Sequence, residues 1–191
     1  VAPVIRDKVR DLDQLAVIAD TVRRAGHKVV LCHGVFDLVH MGHIRHLEAA
    51  RREGDVLMVT TTADQYVNKG PGRPIFPEQM RAEMLAAIEY VDWVAINHDR
   101  SAELVLNMIK PDAYVKGSDY ENSEDDITGM ICGEREAVER NGGRIVFTKD
   151  ITFSSSGLIN SYLDVYDSPL RDFLNEMKNE DAGNEILALL E

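Results

Sequence analysis

Cysteine is scarce in this sequence, and a long apolar run is absent. Cys32 and Cys132 are the only cysteines among the 191 residues, and they lie far apart with no metal-binding or redox spacing. Such usage is typical of a protein in a reducing cytosol rather than one stabilised by disulfides. No apolar run approaches the roughly 20 residues that a membrane-spanning helix needs. We therefore expect a cytoplasmic protein that does not associate with membranes.

Basic residues are also few. Lysine and arginine number 21 against 33 aspartates and glutamates, which gives a formal net charge of −12. Nucleic-acid-binding proteins usually present a basic face, so this balance argues against a nucleic-acid partner. Half of the excess lies in 161–191, where eight acidic side chains oppose Arg171 and Lys178. The rest of the chain can still form a local basic pocket for an anionic substrate.

The N-terminal residues do not have the pattern of a secretory signal peptide, because no basic segment precedes an apolar one. The sequence begins at Val1 rather than at Met, which is compatible with a part of a longer protein. No internal repeat or low-complexity stretch interrupts it. We expect one domain over 1–160, followed by an acidic helical tail or linker over 161–191.

Short apolar runs alternate with amphipathic segments along the domain. The runs are continuous in their apolar character, as in strands buried on both faces of a parallel sheet, and they lie at 28–32, 55–60, 92–96, 112–116 and 144–148. Helical spacing predicts helices at 11–25, 42–52, 77–90, 101–109 and 128–141, and one that begins near 154–156. This alternation predicts an α/β fold: a Rossmann-like, doubly wound parallel sheet of about five strands with flanking helices and a C-terminal helical tail. Ligands of such sheets bind beyond the carboxyl ends of the strands.

Two histidines follow the first predicted strand. In the segment 32–43, CHGVFDLVHMGH, Gly34 permits a tight turn and a helix begins near Gly42. His40 and His43 are three residues apart, so they can project the same way from a helix start. Gly42 lets a ligand approach the backbone, and the free N–H groups of the helix start attract phosphate. Two imidazoles there can donate hydrogen bonds to a polyphosphate and to charge that develops during transfer.

Two other interpretations of this histidine pair stay open. The pair can lie near a helix cap and have no further role. It can also be part of a metal site, although no third ligand of a suitable type is evident nearby.

The segment 34–43 resembles the signature of the HxGH nucleotidyltransferase superfamily, including its Phe-Asp-x-x-His element. The resemblance covers roughly 28–160 and is closest to the adenylyltransferase domain of ADP-heptose synthase and to cytidylyltransferases fused to a sugar-kinase-like domain. It implies that His40 and His43 are catalytic, because the pair in that family binds the nucleotide phosphates and stabilises the transition state. It also implies nucleotide binding by Gly34, Val35, Phe36, Asp37 and Gly42.

The loop 68–74, NKGPGRP, follows the second strand and carries two cations. It can be a solvated turn, but the resemblance implies that Lys69 reaches the phosphates as a catalytic residue. Arg73 is a weaker candidate, for substrate binding. Arg81, on the next predicted helix, is a second substrate-binding candidate, and a position on the solvent face is an equal alternative.

The segment VKGSDY ends the fourth strand. Its place makes Lys116 a site candidate, and a lysine among apolar strand neighbours needs an anionic partner or water. The resemblance implies nucleotide binding by Lys116, Gly117 and Asp119. The acidic segment 121–127 follows and is expected to form a loop beside the site.

Three serines, Ser154, Ser155 and Ser156, open the last predicted helix. Such residues cap helices, and a phosphate at the same helix start is compatible with capping. The resemblance implies that they bind the nucleotide. An Arg-Thr start, seen in some glycerol- and choline-phosphate cytidylyltransferases, is missing, and Phe153 stands near that place.

These features predict an in-line transfer of a nucleoside monophosphate from CTP or ATP to a phosphorylated small molecule, with release of pyrophosphate. The acceptor is already an anionic nucleophile, so catalysis is positioning and charge stabilisation, with Mg²⁺ on the triphosphate. A sugar phosphate is the favoured acceptor, and polyol or amino-alcohol phosphates are alternatives. The resemblance implies a homodimer and, in some relatives, fusion to a kinase-like domain. An adenylate-forming ligase and a non-catalytic nucleotide-binding module are the rival functions.

Overall fold

Five strands form one parallel sheet, and each overlaps a strand predicted from the sequence. The computed structural model describes residues 5–70, 72–117, 131–148 and 169. Its strands are β1 (Val29–Gly34), β2 (Val56–Thr62), β3 (Trp93–Asn97), β4 (Ala113–Gly117) and β5 (Arg144–Thr148). Their order in the sheet is β3-β2-β1-β4-β5, and all neighbouring pairs are parallel. The chain reverses its direction of winding between β1 and β4, so the doubly wound prediction is confirmed.

The helices cover both faces of this sheet. They are α1 (Leu12–Arg24), α2 (Met41–Arg51), α3 (Glu78–Ala86), α4 (Glu103–Ile109) and α5 (Ile131–Arg140), with short 3-10 helices at Ile5–Lys8 and Asp64–Tyr66. Within the described ranges, none of these helices combines the length and the apolar character needed to cross a membrane.

Two core clusters flank the sheet because side chains alternate along each strand. On one face, Val30 and Cys32 of β1 pack with α2 and α3. On the other, Val29 and Leu31 pack with α1, α4 and α5. Both faces are therefore dry near the middle of the sheet, as the continuous apolar runs indicated.

Aspartates at the amino ends of the strands fix neighbouring segments. The Asp112 carboxylate accepts from the Val29 N–H at 2.8 Å, and the Asp92 carboxylate accepts from the Leu57 N–H at 2.7 Å. Asp55 accepts from the Lys28 N–H at 2.7 Å. This edge of the sheet is thus closed by its own hydrogen bonds.

The third helix is shorter than the sequence predicted. Pro77 is its N-cap rather than its first helical residue, and the helix ends at Ala86 instead of continuing to 90. Ile88, whose apolar side chain extended the helical pattern, packs against the core from a turn whose N–H groups bond to Leu85 and Ile88. Tertiary packing therefore replaced the last predicted helical turn.

Candidate active site

The start of α2 is capped by the histidine pair itself. The Gly42 N–H donates to Nδ1 of His40 at 3.1 Å, and the His40 N–H donates to Nδ1 of His43 at 3.3 Å. An imidazole nitrogen that accepts a hydrogen bond carries no proton, so a neutral ring must carry its hydrogen on Nε2. The pair therefore caps the helix, and the capping bonds use Nδ1 of each ring. The Nε2–H of each ring lies on the other side of the ring from its capping bond.

His43 is held neutral by its surroundings. Burial lowers its pKa to about 3, and the neighbouring His40, His46 and Lys69 act in the same direction. The His40 and His43 ring centroids are 4.0 Å apart. At neutral pH this histidine therefore offers a hydrogen bond rather than a full charge.

The Phe36 ring packs against the His43 ring. Its ring centroid lies 5.4 Å from that of His43, and its φ of 49° is in the left-handed region that bulky residues rarely adopt. A Cβ added at Gly34 would lie 3.2 Å from the Phe36 ring, so glycine gives that ring its space. The turn after β1 thus stores strain where it positions the histidine.

Asp37 and Arg73 form a buried ion pair beside these histidines. Nε of Arg73 donates to Asp37 at 2.5 Å, and the two side chains are 2% and 1% exposed. The Ile75 and Phe76 N–H groups also donate to Asp37, at 2.6 and 3.3 Å. Both terminal guanidinium nitrogens of Arg73 are buried and, within the part of the chain that the structure describes, have no hydrogen-bond acceptor.

Lys69 extends this positive region. Partial burial of its ammonium lowers the pKa, the Arg73 guanidinium lowers it further, and Asp37 opposes both effects. The same electrostatic contacts link Lys69 to His43. The structure therefore brings four predicted site residues together, and we call His40, His43, Lys69 and Arg73 the basic cluster.

Arg81 has a different role from the predicted substrate contact. It is fully buried on α3, and all five of its N–H donors have protein acceptors between 2.6 and 2.9 Å: the carbonyls of Phe76, Val35 and Thr62, the Thr61 hydroxyl and the Asp64 carboxylate. No N–H is left for a substrate, and the solvent-face alternative is wrong. This arginine joins the loops after β1 and β2 to the start of α3.

Lys116 has the anionic partner that its apolar neighbours required. Its Nζ lies 3.0 Å from the Glu134 carboxylate, and the Tyr114 hydroxyl donates to the same oxygen at 3.0 Å. The Ala102 N–H donates to the other Glu134 oxygen at 3.4 Å. Gly117 ends β4 next to this network, with open space where a Cβ would stand. The predicted roles of Lys116 and Gly117 in nucleotide binding stay predictions.

A family model described as cytidylyltransferase-like matches residues 31–160, which span the site. The chain belongs to the cytidylyltransferase-like family. The family confirms the resemblance inferred from the histidine motif, and with it an enzyme of the nucleotidyltransferase class.

Two relatives show how much of a longer protein this cytidylyltransferase-like chain matches. Bifunctional protein HldE of Hahella chejuensis is 41% identical over 136 residues, which are 70% of this chain and 27% of that protein. Bifunctional protein HldE of Syntrophotalea carbinolica is 34% identical over 163 residues, which are 84% and 32%. The chain therefore spans about a quarter to a third of the length of these relatives.

Solved structures agree on the architecture. A lipopolysaccharide core biosynthesis protein from Thermoplasma volcanium superposes with a TM-score of 0.56 at 27% identity, covering 66% of this chain and 100% of that one. Pantoate-beta-alanine ligase from Francisella tularensis has the same TM-score, 0.56, at 16% identity, over 80% and 72% of the two chains. The second similarity shows the fold alone.

Two polar residues of this cytidylyltransferase-like domain were missed from the sequence. His46 lies one turn after His43 on α2, and its Nδ1 is 2.7 Å from the Thr148 hydroxyl at the end of β5. Its three-residue spacing from His43 was a usable signal. Glu134 had none, because its partners on β4 are far away in the sequence.

Several predictions lie outside the described residues. They concern Asp119, the acidic segment 121–127, Ser154, Ser155 and Ser156, and the tail 161–191 apart from residue 169. In the described part of the domain, no group of three or more His, Cys, Asp or Glu side chains is placed to hold a metal ion.

Proposed function

We propose that this domain transfers a nucleoside monophosphate from CTP or ATP to a phosphorylated small molecule, with a sugar phosphate as the favoured acceptor, and releases pyrophosphate. Family membership supports the reaction class, and the bifunctional HldE relatives support a sugar phosphate. Polyol and amino-alcohol phosphates are the alternative acceptors.

The observation that carries this proposal concerns the two terminal guanidinium nitrogens of Arg73, which are buried and have no acceptor among the described residues. A buried cation whose N–H groups lack acceptors is costly, and the cost falls when an anion binds. Its Nε is fixed by Asp37, so the two terminal nitrogens are held in a constant orientation. Planar guanidinium groups suit phosphate oxygens, which can accept two parallel hydrogen bonds. Arg73 is therefore assigned to a phosphate of the triphosphate.

The histidines supply neutral donors to the same anion. The Nε2–H groups of His40 and His43 donate to phosphate oxygens at the start of α2, where the helix dipole also favours negative charge. Donors aimed at charge that develops during the reaction lower the barrier more than they strengthen substrate binding. This arrangement fits a transfer reaction better than mere storage of a nucleotide.

The chemical step balances without a covalent enzyme intermediate. An oxygen of the acceptor's phosphate attacks the α-phosphorus of the nucleotide, and a new P–O bond forms. The bond between the α-phosphorus and the oxygen that bridges to the β-phosphate breaks, and its electron pair leaves with pyrophosphate. Lys69 and Arg73 neutralise the charge of the departing pyrophosphate. The neighbouring histidines stabilise the transition state, in which the attacking and the leaving oxygen are both close to the α-phosphorus.

Magnesium is proposed as the counter-ion of the nucleotide. The described carboxylates nearest the basic cluster are engaged already, because Asp37 pairs with Arg73 and Asp64 pairs with Arg81. Phosphate oxygens and water are the ligands that Mg²⁺ usually keeps in such sites. The ion supplies charge neutralisation on the triphosphate when it is bound.

The wider setting is part of the same proposal. The relatives are bifunctional and three to four times as long as the matched region, which supports a protein that also carries a kinase-like domain. A homodimer in the cytoplasm is proposed for the assembled protein.

Pyrophosphate release tests the proposal directly. CTP, ATP, GTP and UTP are each combined with a panel of phosphorylated sugars, polyols and amino alcohols, and phosphate-free carboxylic acids serve as a second panel. His43→Ala is compared with His27→Ala, which removes a histidine with a 60% exposed side chain at the opposite edge of the sheet. We expect turnover with one nucleotide and one phosphorylated acceptor, lost in the first variant and kept in the second.

Two outcomes contradict the proposal. Tight nucleotide binding without turnover for any pair identifies a binding module. Pyrophosphate release that depends on a carboxylic acid instead of a phosphate identifies an adenylate-forming ligase.

A further inference from the structure

A polar row crosses the carboxyl end of the sheet on the face covered by α1, α4 and α5. The strand positions that precede it on this face are apolar: Leu31, Met58, Ala95 and Tyr114. The next positions, two residues on, are His33 on β1, Thr60 on β2, Asn97 on β3 and Lys116 on β4. Thr62 follows Thr60 on the same face of β2 and belongs to this polar row. His33 pairs in register with Thr60, and Thr62 pairs with Asn97. A sheet buried on both faces is apolar by default, so five polar side chains on one face near its carboxyl end need an explanation.

The members of the row on β1 and β2 are uncharged. His33 lies 2.9 Å from the Thr60 hydroxyl through Nδ1 and 3.3 Å from the Thr62 hydroxyl through Nε2. Burial lowers the pKa of His33 to about 3, and Lys116 lowers it too, so the ring is neutral. The Lys116 ammonium is itself paired with Glu134. The row therefore attracts hydrogen-bonding groups and not free anions.

Asn97 leaves one acceptor of this row unsatisfied. Its side-chain nitrogen donates to the Ser101 carbonyl at 2.7 Å and closes the loop after β3. Its Oδ1 is buried and has no donor within the ranges that the structure describes. The residue is fully buried, and a buried acceptor without a donor costs about 1–3 kcal/mol. The missing partner is a neutral O–H or N–H group.

We propose that Asn97, Thr62 and His33 form a subsite for the hydroxyl groups of the acceptor, which deepens the proposed function and rests on it. These residues lie near the carboxyl ends of β3, β2 and β1, whereas the nucleotide-binding candidates Lys116 and Gly117 end β4, on the other side of β1. His40 and His43 of the basic cluster lie at the start of α2, which directly follows β1, and Lys69 and Arg73 lie in the loop that follows β2. The acceptor's phosphate thus faces the cluster while its hydroxyls face the row. A polyhydroxylated acceptor such as a sugar phosphate fits this division, and an amino-alcohol phosphate without hydroxyls does not.

The first test uses Thr62→Val, which keeps the shape of the side chain and removes the hydroxyl. Its matched control is Thr21→Val, which removes an exposed hydroxyl from α1 that bonds only within its own helix, to the Val17 carbonyl. Steady-state kinetics with mannose 1-phosphate and the preferred nucleotide give KM for both substrates. We expect about a tenfold increase in the acceptor KM of Thr62→Val, with the nucleotide KM and the control unchanged.

Direct binding makes the test independent of turnover. Saturation-transfer NMR with mannose 1-phosphate, and with its 2-deoxy and 4-deoxy analogues, is recorded on the wild type and on Thr62→Val. Saturation of the sugar protons in the wild type, weaker in the variant, supports the subsite. If the variant and the wild type bind mannose 1-phosphate equally, or if the wild type binds no sugar phosphate, the subsite is overturned.

The proposed function and the subsite fail in different ways. Absent pyrophosphate release together with Thr62-dependent sugar binding rejects the function and retains the subsite. Normal turnover with an increased nucleotide KM in Thr62→Val retains the function and assigns the row to the nucleotide base, which overturns the subsite.

Discussion

Two buried arginines eight residues apart serve different purposes in this domain. Arg81 donates to five protein acceptors and is saturated. Within the described part of the chain, Arg73 donates one hydrogen bond, to Asp37, and its two terminal nitrogens have no acceptor. Burial alone does not separate a structural cation from a ligand-binding one. The difference lies in how many donors the protein has already used.

This contrast explains how a positive pocket can exist in an acidic protein. The saturated arginine ties the loops after β1 and β2 to α3, and those loops carry Asp37 and Lys69. Asp37 in turn holds Arg73 by its Nε. Arg81 thus fixes the loops in place. Arg73 is held between them with donors available for a ligand, which lowers local stability.

The largest expected effect is on folding, in Arg81→Met. Five acceptors each lose one donor, and we expect the free energy of unfolding to fall by about 3–5 kcal/mol in urea titrations. Arg6→Met, at an ion pair whose arginine side chain is 82% exposed, should change it by less than about 0.5 kcal/mol. If Arg81→Met lowers the free energy of unfolding by less than about 1 kcal/mol, Arg81 does not have the structural role that distinguishes it from Arg73.

The next effect is on activity, in Arg73→Met. Removal of an oriented donor to the triphosphate should lower kcat/KM about 100-fold, equivalent to about 2.7 kcal/mol. Its free energy of unfolding should fall much less than that of Arg81→Met, because an unsatisfied buried cation is removed as well. If both variants lose stability equally, Arg73 is structural too.

Binding of inorganic triphosphate tests the role of Arg73 without a catalytic reaction. At ten times its Kd, it should raise the free energy of unfolding of the wild type by about 1.4 kcal/mol through mass action. Thermal or urea unfolding of Arg73→Met at the same concentration should show little of this increase. Equal stabilisation of both proteins places the anion elsewhere.

A further effect is on the pH dependence of stability, which separates imidazoles from guanidiniums because arginine does not titrate. His33 and His43 have pKa values lowered to about 3 from 6.5, so the unfolded chain binds protons that the folded chain does not. Their contribution to stability is present above about pH 6.5 and is lost as the pH falls toward 3. His43→Gln should flatten the slope of unfolding free energy against pH in this window. An unchanged slope shows that His43 is already charged in the folded protein.

Strands and the histidine motif could be predicted because their signals are local. Continuous apolar runs located all five strands, and the spacing of His40 and His43 located the start of α2. The partners of Arg81 could not be predicted, since Val35 and Thr61 meet it only through the parallel pairing of β1 and β2. The polar row could not be predicted for the same reason. In the sequence His33 and Asn97 are isolated polar residues at strand ends, and only the strand register brings them into one row.

The capping bonds of α2 have a consequence for which side chains can replace the histidines. Each ring holds the helix start with Nδ1 and carries its hydrogen on Nε2, so one rigid side chain has an acceptor and a donor on different sides of the ring. Glutamine and asparagine also have an acceptor and a donor, but both are bonded to one carbon, so their spatial arrangement differs from that of the two ring nitrogens. Lysine and arginine have no acceptor. Imidazole meets both demands with one rigid ring, so we expect His40 and His43 to tolerate few replacements.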